Sequence, residues 1–328
     1  MAGNSRAQAM NLPAAFSIWA IVVALAAIAG ARLHLGGTRF LCSFCVAAAL
    51  FAFEFILAAP RAMAGAQSFL GGHGRALAPL FPLFAVLVYG IAVNGNLKFI
   101  LAGAAYAIIP ALLLASSAGK APGTWQDYAT AIFIWIAIWL PPPYRLLYRI
   151  FPYPHELQHT LSIVMALSTA VAAFLLVRRL EGVGYAVEWR RGFGSNIAVH
   201  FVFFALIAIP LGMKMGFLRY APSFSISQPL TALGILFFTA WPEEFLFRGV
   251  LQNALTRSLG NKWAGLVVAS VIFGFSHILH APTPNWKYVL LAFIAGLFYG
   301  HAWMKSGSLI PGVLVHALVD ASWHVLFR

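Results

Sequence analysis

The chain has 328 residues, of which 62% are hydrophobic and only 9% are charged. So few polar side chains cannot cover a soluble domain of this size, which excludes an ordinary soluble globular protein. The formal net charge of +13 is of a kind that nucleic-acid-binding proteins also carry. The basic residues, however, lie scattered in short connections between apolar stretches, as membrane flanks facing anionic head groups do. We therefore expect membrane lipids, and no nucleic acid, as partners.

The apolar stretches are long and continuous rather than alternating, which favours membrane-spanning helices over strands. The candidate spans are residues 12–31, 40–59, 76–93, 97–117, 127–140, 160–177, 194–213, 228–241, 263–280, 286–304 and 308–327. The stretch 127–140, which runs into Pro141, is short enough to be re-entrant or to reach only the interface. The sequence thus predicts an all-α, polytopic helical membrane protein with about ten transmembrane helices. We expect it in a bacterial-type cytoplasmic membrane.

The two parts of the chain differ in their ionisable residues. Residues 1–225 contain isolated polar residues with no spacing that suggests chemistry, and we interpret them as a multi-spanning membrane scaffold. Residues 226–328 hold three of the eight acidic residues and five of the ten histidines, at helical spacing within apolar runs. This C-terminal part is therefore the predicted catalytic region.

The segment Glu243-Glu244-Phe-Leu-Phe-Arg248 places three charged groups in a stretch apolar enough to lie in a bilayer. Each such charge near a helix centre costs roughly 2.5 to 3.5 kcal/mol, so each requires a partner or a function. Pro242 predicts that a helix begins or restarts there, with both carboxylates at its positive end. Glu244 and Arg248 share one helix face and can form an ion pair, which leaves Glu243 unexplained.

Two further clusters follow, each at helical spacing. Phe273-Gly-Phe-Ser-His277 predicts an imidazole on the next helix, and His316-Ala-Leu-Val-Asp320 predicts an imidazole and a carboxylate on one face of the last helix. A carboxylate in a partly dry pocket can act as a base toward water, while imidazole groups share the proton and stabilise an oxyanion. The sequence therefore supplies the groups that peptide hydrolysis needs.

Other interpretations of the same residues remain. Glu243, His277 and His316 could instead ligate a divalent metal, since carboxylate and imidazole groups are ordinary zinc ligands. The helical His-Glu-x-x-His zinc motif is absent, so a metal is not specified and we predict no cofactor. Buried ionisable groups also mark proton or ion paths in transporters. A non-catalytic immunity or sorting scaffold is a further alternative.

The three motifs, in this order, resemble those of the CPBP family of intramembrane proteases. That family includes the type II CAAX prenyl endopeptidases and bacteriocin-processing relatives. The stretch from Gly296 to Gly300, followed by Gly307-Ser308-Leu309, also resembles the family's approach to its third motif. The resemblance covers only the last third of the chain. It implies a C-terminal catalytic helix bundle around a water-accessible cavity, and an intramembrane endopeptidase of the glutamic type. Its substrate would be a membrane-bound protein or peptide, embedded or membrane-proximal, that is lipidated or carries a sorting signal.

The resemblance also implies roles for single residues. Glu243 would be the general base, and His277 would be its partner in activating water. Glu244 and Arg248 would organise the site, while His316 and Asp320 would face the oxyanion. The family's third motif commonly ends in Asn, whereas this chain has Asp320. An ionised carboxylate only accepts hydrogen bonds, so Asp320 must either be protonated or orient His316.

Overall fold

The computed structural model describes residues 8–141 and 144–328, and almost all of its regular structure is helical. In the first half of the chain the helices are α1 (Leu12–Arg32), α2 (Gly37–Ile56), α3 (Pro60–His73), α4 (Leu80–Tyr89), α5 (Leu97–Ala115), α6 (Trp125–Trp139), α7 (Leu146–Ile150) and α8 (His155–Ala170). In the second half they are α9 (Phe193–Lys214), α10 (Gln228–Leu259), α11 (Lys262–Phe275), α12 (Trp286–Ser306) and α13 (Leu309–Leu326). Two short strands, β1 (Gln8–Ala9) and β2 (Glu188–Trp189), pair antiparallel.

Several of these helices contain or adjoin short segments of 3₁₀-helix or π-helix. A 3₁₀ turn at Arg75–Leu77 precedes α4 and a π turn at Gly90–Asn94 follows it, while α8 continues as a π segment through Val171–Val177. Within α10, π segments cover Leu236–Ala240 and Phe245–Gln252. Such wider turns are rare in ordinary helices and frequently lie at functional sites.

Nine helices of the described residues are long and apolar enough to cross a membrane. They are Leu12–Arg32, Gly37–Ile56, Arg75–Asn94, Leu97–Ala115, His155–Val177, Phe193–Lys214, Gln228–Leu259, Trp286–Ser306 and Leu309–Leu326. This confirms the prediction of an all-α, polytopic fold, and the protein is an integral multi-pass membrane protein. The expected span at 127–140 corresponds to α6, whose 15 residues are fewer than a bilayer crossing needs. The expected span at 263–280 is likewise only the 14-residue helix α11.

Side-chain caps define where several of these helices begin. Asn11 accepts a hydrogen bond from the backbone N–H of Ala14, and Thr124 forms a capping box with Asp127. Asn261 accepts from the backbone N–H groups of Trp263 and Ala264, which starts α11. Because the first N–H groups of a helix have no intrahelical partner, these side chains fix the helix boundaries within apolar sequence.

The chain divides into two compact units. The N-terminal unit comprises Met10–Leu180 and is built around α8 with its π continuation to Val177, which is almost entirely buried beyond its first turns; α8 packs against α2 and α6. Its main internal charges form a buried ion pair, in which Arg178 Nε lies 2.9 Å from Asp127 Oδ1. The remaining Arg178 N–H groups donate to the backbone carbonyls of Lys120 and Ala121. A buried charge has to be fully paired, and these contacts pair both charges. Stabilisation of the fold is therefore a sufficient explanation for this cluster.

A cavity of about 460 Å³ also lies in the N-terminal unit. Its lining is aliphatic apart from one ionisable side chain, that of Arg75. It contains no carboxylate or imidazole group, so it has none of the side chains that peptide hydrolysis requires.

The C-terminal unit comprises residues 181–328 together with the strand at Gln8–Ala9. In it, α12 packs against α9, α11 and α13, while α10 packs against α13. A Cβ atom added at Gly296 would lie 3.0 Å from Ser270 Cβ, and one at Gly300 would lie 2.5 Å from Leu266 Cδ1. Small residues at these positions therefore let α12 approach α11 closely. The prediction that residues 1–225 form a scaffold and residues 226–328 the catalytic region concerns activity rather than structure. It therefore stays a prediction.

Candidate active site

The two adjacent glutamates lie in the middle of α10, because this helix continues through Pro242. The prediction that a helix begins or restarts at Pro242, with both carboxylates at its positive end, was wrong, since the helix is continuous from Gln228 to Leu259. The π segments on either side of Pro242 widen the turns around a residue that has no backbone N–H to donate. Because Glu243 and Glu244 are not at a helix N-terminus, the helix dipole does not compensate their charges. Neighbouring side chains have to do so.

Glu244 is fully buried between two cationic or hydrogen-bonding partners. Its Oε2 lies 3.0 Å from Arg248 Nε, and its Oε1 accepts a hydrogen bond of 3.0 Å from His316 Nδ1. The contact with Arg248 is an ion pair without an aligned hydrogen bond, since within the described chain no N–H group of that guanidinium has a hydrogen-bond acceptor. The guanidinium lies instead over the ring of Phe273, 4.6 Å from its centroid. A cation over a buried aromatic face gains electrostatic stabilisation from the ring.

His316 lies on α13, and neighbouring side chains contact the face of its ring and both of its nitrogens. Tyr299 stacks on it with the ring centroids 4.6 Å apart and the planes at 15°, and Phe273 meets it edge-on at 5.9 Å. The bond from Nδ1 to Glu244 fixes which nitrogen carries the proton. The other nitrogen, Nε2, lies 3.4 Å from Asp320 Oδ2 and 3.9 Å from Glu243 Oε2. The imidazole is therefore placed with Nε2 toward two carboxyl groups from different helices.

Glu243 and Asp320 differ from Glu244 because their side chains are partly exposed. The side chain of Glu243 is 16% exposed and that of Asp320 is 27% exposed, whereas Glu244 is completely buried. Glu243 Oε2 is itself buried and has no hydrogen-bond partner within the described residues, so the exposed part of the side chain is formed by its other atoms. A carboxylate with an unpartnered oxygen beside an accessible space can accept a proton from a bound water molecule.

His277 joins the same cluster from a different element than expected. It lies just after the end of α11, in the turn that follows Phe275, rather than on the helix. Its Nδ1 donates to the backbone carbonyl of Phe273 at 2.9 Å, which leaves Nε2 as the acceptor nitrogen of the neutral ring. The ring packs 5.0 Å from that of Phe273, and it interacts electrostatically with His316 and Asp320.

The structure thus brings five of the six residues that the sequence singled out into direct contact with one another, and His277 is linked to them through the ring of Phe273, which it shares with His316. Glu243, Glu244 and Arg248 come from α10, His277 follows α11, and His316 and Asp320 come from α13.

Sequence reasoning missed the side chains that position this group. Tyr299 and Tyr288 both lie on α12, between the second and third motifs. Aromatic residues at helical spacing are ordinary core residues, so no pattern marks these two in advance. Gly312 also belongs to this set, because a Cβ atom there would lie 3.3 Å from Glu244 Oε2 and 3.1 Å from the Tyr299 carbonyl oxygen. It is the space left by its missing side chain that admits the buried carboxylate.

The residues do not fit a metal centre. Among the side chains that the structure describes, no group of three or more His, Cys, Asp or Glu residues is arranged to hold a metal ion. The alternative set of Glu243, His277 and His316 is therefore not a preformed ligand set, and no step below runs through a metal.

Comparison with protein families bears directly on this cluster. Residues 225–322 match the family model described as type II CAAX prenyl endopeptidase Rce1-like. This C-terminal segment is Rce1-like. The match confirms the CPBP resemblance predicted from the three motifs, and at the level of the family it indicates a CAAX-type intramembrane protease, which is a hydrolase. The comparisons with curated proteins and with solved structures gave no match.

The Rce1-like match contains all six site residues and the whole of α10, α11 and α12. It leaves out α9, which nevertheless packs against α12 in the same unit. Asn196 of α9 donates to the carbonyl of Ala302, and His200 Nε2 lies 2.8 Å from His301 Nδ1. The helix that carries Tyr299 is therefore supported by a helix outside the Rce1-like segment.

Proposed function

We propose that this protein is an intramembrane endopeptidase of the glutamic type, which hydrolyses a peptide bond by means of a water molecule activated by Glu243 and His277. The observation that carries the proposal is the convergence of Glu243, Glu244 and Asp320 on the single imidazole of His316. The cost of placing three carboxyl groups and a guanidinium within apolar helices is hard to explain by structure alone, because Glu243 has no partner that neutralises it fully.

In the proposed reaction, Glu243 takes a proton from water while the water oxygen forms a bond to the carbonyl carbon of the substrate. His277, whose Nε2 is its acceptor nitrogen, helps to hold that water. The carbonyl oxygen becomes an oxyanion beside His316. When the C–N bond breaks, the proton held by Glu243 passes to the leaving amine.

Glu244 and Arg248 take no proton in this scheme. Glu244 is fully buried and already accepts from His316 Nδ1, so its role is to fix the orientation of that ring. Arg248 compensates the charge of Glu244. Orientation by a buried carboxylate matters because a misplaced imidazole loses the alignment that transition-state stabilisation requires.

The substrate in this proposal is a membrane-bound protein or peptide, with its scissile bond within the bilayer or close to it. The family points to a lipidated or otherwise membrane-targeted substrate segment, and the protein would act in a bacterial-type cytoplasmic membrane. The surrounding lipids are its other partners.

The test compares the purified wild-type protein with Glu243→Gln, His277→Ala and Glu156→Gln against a membrane protein fraction, scored by new protein termini. Glu156 is an exposed carboxylate on α8 and serves as a matched control. We expect cleavage by the wild type and by the control, none by Glu243→Gln, and a strongly reduced rate for His277→Ala.

Two outcomes would contradict the proposal. Full turnover by Glu243→Gln would remove the proposed base. Loss of cleavage on addition of a chelator, with recovery on addition of a divalent metal, would replace the glutamic mechanism by a metal-dependent one.

A further inference from the structure

The proposed site is short of hydrogen-bond donors for an oxyanion. Tetrahedral intermediates of acyl transfer are usually stabilised by at least two donors, and each donor contributes substantially to the rate. His316 can supply one through Nε2 when both of its ring nitrogens carry a proton, since Nδ1 already donates to Glu244. Asp320, which stands where the family commonly has Asn, has no N–H group, and Glu243 is an acceptor while it acts as base.

Tyr288 lies next to His277, and its ring is held in place by its neighbours. It lies in the first turn of α12, and its ring centroid is 4.5 Å from that of the His277 ring. Phe217 and Trp323 pack on it with centroid distances of 5.4 Å each. These contacts hold the phenol ring from three sides, so its hydroxyl has a defined position at low entropic cost.

Tyr288 also packs against the helix that carries Asp320, since its ring contacts Trp323, which lies one turn after Asp320 on α13. The phenol interacts electrostatically with both Asp320 and Glu243. Within the described chain, no hydrogen bond to this hydroxyl is formed, and the residue is only half-buried. A phenol O–H is a good donor, and an unpartnered one beside an accessible space is available to a substrate.

The other tyrosine of the site, Tyr299, is less suited to contact a substrate. Its ring stacks on His316 and only 1% of the residue is exposed. It therefore positions the imidazole, whereas Tyr288 can reach a bound molecule.

We propose that the Tyr288 hydroxyl is a second oxyanion donor, supplying the hydrogen bond that an ionised Asp320 cannot give. The proton stays on the phenol oxygen throughout, so the step changes no bond of the tyrosine. This inference rests on the proposed peptidase function. It makes Tyr288 a catalytic residue that lies between the second and third motifs rather than in any of them.

The experiment uses the full-length protein and a membrane-bound peptide substrate found by the comparison of termini above. Tyr288→Phe removes the hydroxyl and keeps the ring and its packing. We expect kcat to fall by about 10²-fold to 10³-fold, as for removal of other oxyanion donors, with KM changed less than about threefold. Tyr220→Phe is the matched control, because Tyr220 is 60% exposed and packs only on Phe327 at 6.0 Å among its described ring contacts.

A double variant separates catalysis from packing. Asp320→Asn restores an amide donor at the third motif, so we expect it to raise kcat of the Tyr288→Phe protein by at least about tenfold. A merely structural defect at Tyr288 would not be repaired by a change on α13. Unchanged kcat in Tyr288→Phe, or a loss that Asp320→Asn leaves unrepaired, would overturn the assignment.

The inference and the proposed function fail in different ways. Active Glu243→Gln protein would overturn the peptidase proposal itself. Inactive Glu243→Gln with fully active Tyr288→Phe would overturn only the role of Tyr288. Thermal melting of each variant identifies any that does not fold. If Tyr288→Phe does not fold, fluorotyrosine at position 288 replaces it, because it keeps the ring packing and alters only the strength of the hydroxyl as a donor. A changed kcat would support the assignment and an unchanged kcat would overturn it.

Discussion

Arg248 provides the sharpest test of how the charges of this site are held in the membrane. Its guanidinium and the carboxylate of Glu244 are both fully buried, with Nε and Oε2 3.0 Å apart. Arg248→Met keeps a long apolar side chain over the ring of Phe273 but removes the guanidinium that pairs with Glu244, which then keeps only its contact with His316. Removal of one partner from a buried pair costs about 3–5 kcal/mol, because the remaining charge is uncompensated. Glu244→Gln should cost a similar amount, since it leaves the guanidinium alone.

The double variant is the decisive measurement. Arg248→Met with Glu244→Gln buries no charge at this position, and the glutamine oxygen can still accept from His316 Nδ1. We expect its free energy of unfolding to lie at least about 1 kcal/mol above that of either single variant, as coupled neighbours do. Unfolding in mixed detergent micelles, followed by tryptophan fluorescence, gives these values. Single variants within about 1 kcal/mol of the wild type, the range of exposed pairs, would refute the reasoning.

Two further predictions concern other close contacts. Gly312→Ala places a Cβ atom 3.3 Å from Glu244 Oε2 and 3.1 Å from the Tyr299 carbonyl oxygen, so we expect it to displace the buried carboxylate and lower kcat while the protein still folds. Cleavage assays together with thermal melting would check this. Asp127→Asn leaves Arg178, which is only 1% exposed, without its counter-ion, so the free energy of unfolding should fall by about 3–5 kcal/mol. The same micelle unfolding experiment measures that loss.

The control for Asp127→Asn is the exposed ion pair between Arg190 and Glu188. Their Nη2 and Oε2 atoms are 2.8 Å apart, but the arginine side chain is 48% exposed. Glu188→Gln should therefore change the free energy of unfolding by no more than about 1 kcal/mol. Equal losses for Glu188→Gln and Asp127→Asn would show that burial does not decide the outcome.

Composition and apolar runs were enough to predict the fold class and most of the spans. The reason is physical, because a helix that crosses a bilayer must be long and apolar along its whole length. The same criterion placed Glu243, His277 and His316 on or beside apolar helices. Ionisable side chains are costly in a bilayer, so their presence there indicated a function or a partner. Their spacing then related them to one family, which the match over residues 225–322 confirmed.

Details that depend on tertiary contacts could not be predicted. Pro242 is a sound local signal for a helix start, but packing on both sides carries α10 through it, with π turns that have no sequence signature. His277 was placed on a helix by its spacing from Phe273, whereas α11 ends first. The role of the aromatic side chains that orient the site could not be predicted either, because a stacking tyrosine has the same helical spacing as an ordinary core residue.

The two adjacent glutamates show how one local sequence gives two different groups. Neighbouring residues on a helix point about 100° apart, so Glu244 faces Arg248 and His316 while Glu243 faces the accessible side near Asp320. The full compensation of Glu244 is what fixes the imidazole, and a fixed imidazole stands 3.9 Å from Glu243 without fully neutralising it. A site in which both carboxylates were equally paired would be more stable but would have no oxygen left to accept a proton from water. The stability of one glutamate and the reactivity of the other are thus consequences of the same helix geometry.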